Sequence, residues 1–427
     1  MSLPHLTAGF LPLLDSALLV LAHELGIAEE EGFTLGLTRE SSWANIRDRT
    51  ALGHFDIALV LAPMPIAANL GLTPIATPMI APVMTGLGNN AITVSADLWT
   101  QMADAGAPGD LAAGPAGKAL AQVIHSTPRK LRLAVVHQTS SHNYELRYWL
   151  AAGGINPGYY SPEDVSGQIA ADAYLSVTPP PQMPSTLEAG TIDGYAVGEP
   201  WNQAAVFKKI GVPVITDYEI WKNNPEKVFG ITAEFAENNP NSTLAVTKAL
   251  IRAAKWLDEN DNANRAEAVE ILSRSEYVGA DAEVIAASMT GTFEFEAGDV
   301  RDVPDFNVFY RYFATYPYYS DAVWYLTQMR RWGQVAEDMP DSWYDEVAKS
   351  VYKPEIYLEA ARLLVEEGLV EETDFPWDST GYREPTAEFI DGVTYDGTQP
   401  NAYIDSLPIG LKTGDSVVGA DVIAAAN

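Results

Sequence analysis

Short apolar runs alternate with amphipathic stretches over the first 230 residues, and the alternation has a regular order. Leu6 to Phe10 predicts a strand and Ser16 to Leu25 a helix that Gly26 stops. Thr34 to Arg39 predicts a second strand, Trp43 to Leu52 a helix closed by Gly53, and Phe55 to Leu61 a third strand whose apolar run ends against Pro63 and Pro65. This is β-α-β-α-β, the signature of a parallel sheet with helices on its faces. The order then repeats. Leu131 to His137 reads as strand, His142 to Ala152 as helix ended by Gly153 and Gly154, Ala173 to Thr178 as strand, Met183 to Ala189 as helix, and Ile192 to Val197 as strand.

The two units echo each other. "GHFDIALVLAP" from Gly53 and "GTIDGYAVGEP" from Gly190 both fit G-x-x-D-x-x-x-V-x-x-P. Glycine ends a helix, aspartate enters the turn, an apolar run forms a buried strand and proline stops it. Two similar α/β lobes follow, each a mainly parallel sheet flanked by helices. In such sheets ligands bind beyond the carboxyl ends of the strands, where helix N-termini point, so two facing sheets make a cleft. The expected division is lobe I from residues 1–120 and 230–427, with lobe II from 121–229. The helix Leu244 to Leu257 returns to lobe I, and the aromatic-rich last hundred residues wrap the core.

Length supports two lobes, because 427 residues exceed what one simple core accommodates. Lys+Arg 26 against Asp+Glu 57 gives a net charge of −31, which argues against nucleic acid or an anionic membrane surface as partner. An anionic ligand would therefore be held by local groups, namely backbone N–H donors and one or two buried cations. Cysteine is absent, excluding disulfides, thiolate metal sites and cysteine nucleophiles. No stretch reaches the roughly 18 apolar residues of a membrane span. The N-terminal stretch lacks a basic region and carries Asp15 inside its apolar run, so it reads as the first strand and helix of the fold rather than as a leader.

Several residues carry candidate chemistry, each beside a plainer alternative. Trp43 opens a helix, where backbone N–H groups are unpaired and an indole offers both an N–H and a flat face. Its plain alternative is a core ring. His142 also opens a helix, as a ligand donor or as a cap-region side chain. His137, His142 and Glu145 make H-x4-H-x2-E, a conceivable metal set, but one ligand would end a strand while the others start a helix. "GLGNNA", Gly86 to Ala91, is a weak dinucleotide fingerprint without a strand before it or a helix after it. "PPPQM", Pro179 to Met183, reads as a rigid strand-to-helix turn. No nucleophile and base set, paired-carboxylate motif or P-loop is present in a convincing context. No enzyme activity, resident cofactor or metal is expected.

"RESSWANIRDRTALGHFDIALVLAPMPIAANLG", "LRYWLAAGGINP", "PPPQM", "DGYAVGEPWN", "YPYYSDAVWYLTQMRRWGQ" and "NAYIDSLPIGLK" together resemble the nitrate-binding protein of nitrate/bicarbonate-type ABC importers, from about Phe10 to Lys412. The resemblance implies a C-clamp, periplasmic-binding-protein fold with an oxyanion in the cleft. It places the family's cleft tryptophan on Trp43, its histidine on His142 with Ser141 replacing threonine, its glycine on Gly198 and its lysine on Lys227. The family's glutamine falls on Asn90, a residue one methylene shorter, which makes a bridging water plausible there. Bicarbonate-binding relatives put an acidic residue at the lysine site. The implied partners are nitrate or nitrite, and an ABC permease with its ATPase subunits; the implied compartment is the periplasm. The alternatives are a cytosolic nitrate sensor that releases a regulatory partner, a bicarbonate-binding protein, and an enzyme of the same general fold such as a pyrimidine-precursor synthase.

Overall fold

The computed structural model describes residues 3–110 and 112–415. In chain order its principal strands are β1 (His5–Phe10), β2 (Thr34–Arg39), β3 (Ile57–Leu61), β4 (Met79–Met84), the two-residue β5 (Leu87–Gly88), β6 (Asn90–Ser95), β7 (Arg132–Val135), β8 (Tyr174–Val177), β9 (Gly194–Gly198), β10 (Gly211–Thr216) and β11 (Lys227–Thr232). They build two five-stranded sheets, ordered β2-β1-β3-β11-β4 and β8-β7-β9-β6-β10. In each, the first three strands are parallel and the fourth runs antiparallel to them. β3 is apolar at all five positions and wholly buried, as a central strand covered on both faces must be.

The echo noted in sequence has a shared physical role. Asp56 Oδ2 accepts the backbone N–H of Thr7 in β1 at 2.7 Å, and Asp193 Oδ2 accepts that of Arg132 in β7 at 2.8 Å. Each aspartate thus fastens the third strand of its sheet to the first, and the following proline lies at the start of the next helix.

The fourth strands are where the chain crosses between lobes. β6 leaves lobe I and pairs with β9, Asn90 opposite Gly198; β11 leaves lobe II and pairs with β3, Lys227 opposite Leu61. The expected division at residue 120 left β6, the helix Ala96–Asp104 and the first part of the helix Ala113–Ser126 in lobe I. They pack with the second sheet instead: Ser95 N–H donates to Asp193 O, and Trp149 Nε1 donates to Ala113 O. The return crossing likewise begins at Lys227, just before the expected residue 230. The alternation that identifies "AITVS" as a strand carries no information about which sheet it joins.

Residues beyond β11 form helices, then an irregular tail that touches both lobes. Lys353 N–H donates to Ala81 O in β4 of lobe I, while Tyr148 Oη donates to Asp391 and the Trp221 ring stacks on Phe389, centroids 5.0 Å apart, in lobe II. Among the described residues no helix is long and apolar enough to cross a membrane.

Candidate functional site

Two helices, one from each lobe, start from serine caps. The helix Trp43–Ala51 is capped by Ser42, whose side chain accepts the N–H of Asn45; the helix Ser141–Ala152 is capped by Ser140, which accepts that of Asn143 at 3.0 Å. Serine in extended backbone at this position satisfies one of the orphan donors of the first turn. Arg47 Nη1, on the first of these helices, lies 3.4 Å from His137 Nε2, in the turn that leads into the second. Burial and the Arg47 charge bring the His137 pKa down to about 4, so this ring is neutral.

Four of the five residues singled out in sequence form one connected group. Lys227 Nζ is 3.3 Å from Asn90 Oδ1, and a Cβ on Gly198 would lie 3.3 Å from both of those atoms. Any side chain at Gly198 would crowd the lysine. His142 joins through Ser141, whose hydroxyl is 3.3 Å from His142 Nδ1 and donates to Glu226 at 2.7 Å. Trp43 makes no polar contact with the group. Its Nε1, like His142 Nε2, is buried and has no hydrogen-bond partner. Such orphans are costly unless a ligand completes them.

Carboxylates surround the lysine, and the sequence reading placed none of them beside it, naming Glu145 only in a metal set with the two histidines. Lys227 Nζ lies 3.0 Å from Asp15 Oδ2 and 3.3 Å from Glu226 Oε2, all buried. Asn89 Nδ2 donates to Asp15 at 2.9 Å. Asn224 Nδ2 lies 2.9 Å from Glu145, 3.0 Å from Glu226 and 3.4 Å from Asp217, while the N–H of Asn90 donates to Asp217 at 2.8 Å and its Nδ2 to Glu145 at 3.3 Å. Burial disfavours the Lys227 ammonium, but Asp15 and Glu226 outweigh it and its pKa is raised. Burial raises Glu226 as well, yet Lys227 and His142 bring it below its ordinary value, so lysine and glutamate form an ion pair. Burial and the neighbouring carboxylates push Glu145 and Asp217 well upward. Burial and Lys227 lower His142 to about 3, leaving a neutral imidazole.

The missed residues left faint traces. Asp15 interrupts an apolar run, and Asn224, Glu226 and Lys227 share "NNPEK". The set of His137, His142 and Glu145 does not converge; among the described residues the group with metal-ligand spacing is Glu145, Asp217 and Glu226. "GLGNNA" spans β5 and the start of β6, which excludes the strand-turn-helix context of a dinucleotide site. "PPPQM" is a 3-10 turn, Pro180–Gln182, leading into the helix Met183–Glu188.

A family model described as the NMT1-like family matches residues 2–273. The chain belongs to the NMT1-like family. Its relatives include the nitrate import ATP-binding protein NrtC of Synechocystis, 34% identical over 95% of this chain, and the bicarbonate transport ATP-binding protein CmpC of Synechococcus elongatus, 33% identical over 95%. The chain spans only 55% of each of those proteins. The nitrate/nitrite binding protein NrtA of Synechococcus elongatus is 32% identical over 94% of this chain, which covers 85% of it. Among solved structures, the periplasmic nitrate-binding protein NrtA from Synechocystis superposes with a TM-score of 0.82 at 29% identity, covering 95% of this chain and 99% of that one. This NMT1-like chain is therefore homologous to proteins named for binding and not for catalysis, and the two-lobed fold expected from sequence is the one it has.

Proposed function

We propose that this chain is the periplasmic substrate-binding component of an ABC importer, that it takes nitrate or nitrite between its lobes, and that it delivers the anion to a membrane permease driven by ATPase subunits. The observation that carries this reading is the pair of buried, unpartnered ring nitrogens, Trp43 Nε1 and His142 Nε2, at the helix N-termini of the two lobes. Nitrate offers only acceptor oxygens, and helix N-termini supply a positive field for it. Homology to proteins named for nitrate and nitrite, over nearly their whole length, supports the same reading.

The tautomer of His142 matters here. A neutral imidazole donates from one nitrogen only. With the Ser141 proton on Glu226, Nδ1–H points at the serine oxygen and Nε2 is bare. When Ser141 turns its proton to Nδ1, Nε2 carries hydrogen and donates to an anion. Ligand binding on this reading includes that turn. Lobe closure around the anion removes water and strengthens each contact.

Trp43→Phe keeps the ring and removes the N–H; His142→Phe removes the imidazole nitrogens. Each deletes one hydrogen bond to a charged ligand, worth about 1.5–3 kcal/mol. Calorimetric titration with nitrate should show at least a tenfold weaker Kd in each folded variant. Unchanged affinity in both would overturn the site. A second reading, bicarbonate, is favoured by the carboxylates around Lys227, since bicarbonate carries an O–H that a carboxylate accepts.

A further inference from the structure

Arg47 and His137 bring two hydrogen-bond donors together across the lobes. Arg47 belongs to the helix Trp43–Ala51 of lobe I, and His137 follows β7 in lobe II. The backbone N–H of Thr139 donates to His137 Nδ1 at 3.0 Å, so Nδ1 keeps its lone pair and the ring proton sits on Nε2. Nε2 faces Arg47 Nη1 at 3.4 Å, and a guanidinium has no lone pair to offer it. Moving the proton to Nδ1 only transfers the conflict to Thr139. In either tautomer one N–H is directed at another, and a second proton on the ring adds a donor without adding an acceptor.

We propose that this pair is a second anion subsite, which takes a planar oxyanion of the nitrate class between Arg47 and His137 once the lobes are together. An oxygen about 2.9 Å from each nitrogen closes a triangle on the 3.4 Å side, so a single acceptor satisfies both donors. Arg47 Nε already donates to Asp48 Oδ1 at 2.7 Å, and among the described residues neither Nη1 nor Nη2 donates to an oxygen. That edge of the guanidinium is a planar fork matched to two oxygens of an oxyanion, a match that a spherical halide does not offer. The Arg47 side chain is 15% exposed, which leaves it within reach of solvent ions; Asp48 is 40% exposed, so water weakens its repulsion of the ligand.

The surrounding elements place the subsite beside the one already described. Arg47 is four residues beyond Trp43, so the two side chains share one helix face, a turn apart. The Ser140 hydroxyl donates to His137 O at 2.6 Å, and Ser140 caps the helix that carries His142. The subsite is therefore built on the same two helices as the Trp43 and His142 donors, and it shares no residue with the Lys227 group. Its donors come from different lobes, so it is complete only when the lobes have come together, and an anion held there bridges them. The ligand class rests on the anion reading given above, whereas the donor conflict stands on the chain's own residues.

The test uses the full, ligand-stripped chain. Nitrate is titrated calorimetrically into the wild type, Arg47→Gln and His137→Phe, and the histidine ring nitrogens of isotope-labelled wild type are followed by NMR through the same titration. The expected result is two nitrates per chain, the second at least tenfold weaker than the first, with the His137 proton on Nε2 and the Nε2 resonance moving over the range of the second phase. Each variant should lose the second nitrate and keep the first within threefold, with circular dichroism unchanged. A single nitrate that neither variant alters overturns the subsite and leaves the anion reading intact, and a His137 proton found on Nδ1 also overturns it. A single nitrate lost in Arg47→Gln but kept undiminished in Trp43→Phe and His142→Phe upholds the Arg47 site and refutes the reading centred on those two rings. No nitrate bound by the folded wild type refutes both that reading and the ligand assigned here.

Discussion

Glu199 follows Gly198 at the end of β9, fully buried, with Oε2 accepting the N–H of Gln203 at 3.3 Å and Oε1 unpartnered. Burial pushes its pKa up to about 8, against the Gln203 hydrogen bond that lowers it. Between the ordinary value of 4.5 and about 8 the folded chain holds this proton more tightly than the unfolded chain does. Stability must therefore fall as pH rises through that window. Glu199→Gln removes the titration. At an unfolding entropy of about 2.1 cal/mol/K per residue, each kcal/mol moves Tm by roughly 1 °C in a chain of this size. The variant should melt about 2–4 °C above the parent at pH 8 and level with it at pH 5, as read by calorimetric scans. Site residues of this kind were unevenly legible in the sequence. Trp43, Asn90, His142, Gly198 and Lys227 were named through a family pattern, and four of them do form one group. Asp15, Asp217 and Glu226 were missed as site residues, and Glu145 was named only in a histidine metal set, because an acidic residue in a sequence is ordinarily a solvated one. Only three-dimensional convergence distinguishes a buried carboxylate from an exposed one.

Helix starts and strand ends do the positioning at the scale of elements. Ser140 accepts the N–H of Asn143 and its hydroxyl donates to His137 O at 2.6 Å, tying the last turn of one element to the first of the next. Ser140→Ala should cost about 1 kcal/mol of stability, the usual worth of such a cap. It should also weaken nitrate binding, because His142 sits two residues further on; denaturant titration and calorimetry read the two effects. Lost stability with unchanged affinity would mean that His142 is held by packing alone. Strands and helices of the two repeated units were readable to within one or two residues because their apolar periods are clear: Thr34–Arg39 was found as it stands, and Trp43–Leu52 differs from the observed helix by one residue. The sheet that each crossing strand joins was not, since β6 and β11 are antiparallel additions placed by tertiary packing. Their first residues, Asn90 and Lys227, bring cleft side chains to the end of the neighbouring strand.

At the scale of the whole molecule, charge and the C-terminal wrap act on opposite stages of binding. A net charge of −31 repels an approaching anion over about a Debye length, roughly 10 Å at moderate ionic strength. The association rate for nitrate should therefore rise when an inert salt is added, as followed by stopped-flow tryptophan fluorescence. A rate that falls with salt would indicate a local positive funnel strong enough to override the net charge. The wrap touches both lobes, through Lys353 on Ala81 and through Asp391 and Phe389, and so limits how far they separate. Binding between the lobes remains the central claim. It is tested most directly by isothermal titration of the ligand-stripped chain with nitrate, nitrite, bicarbonate and, as a control, chloride. Saturable binding of nitrate or nitrite, abolished together with the Trp43 and His142 donors and absent for chloride, is the predicted result. Heat from bicarbonate alone, with nitrate and nitrite silent, would contradict it.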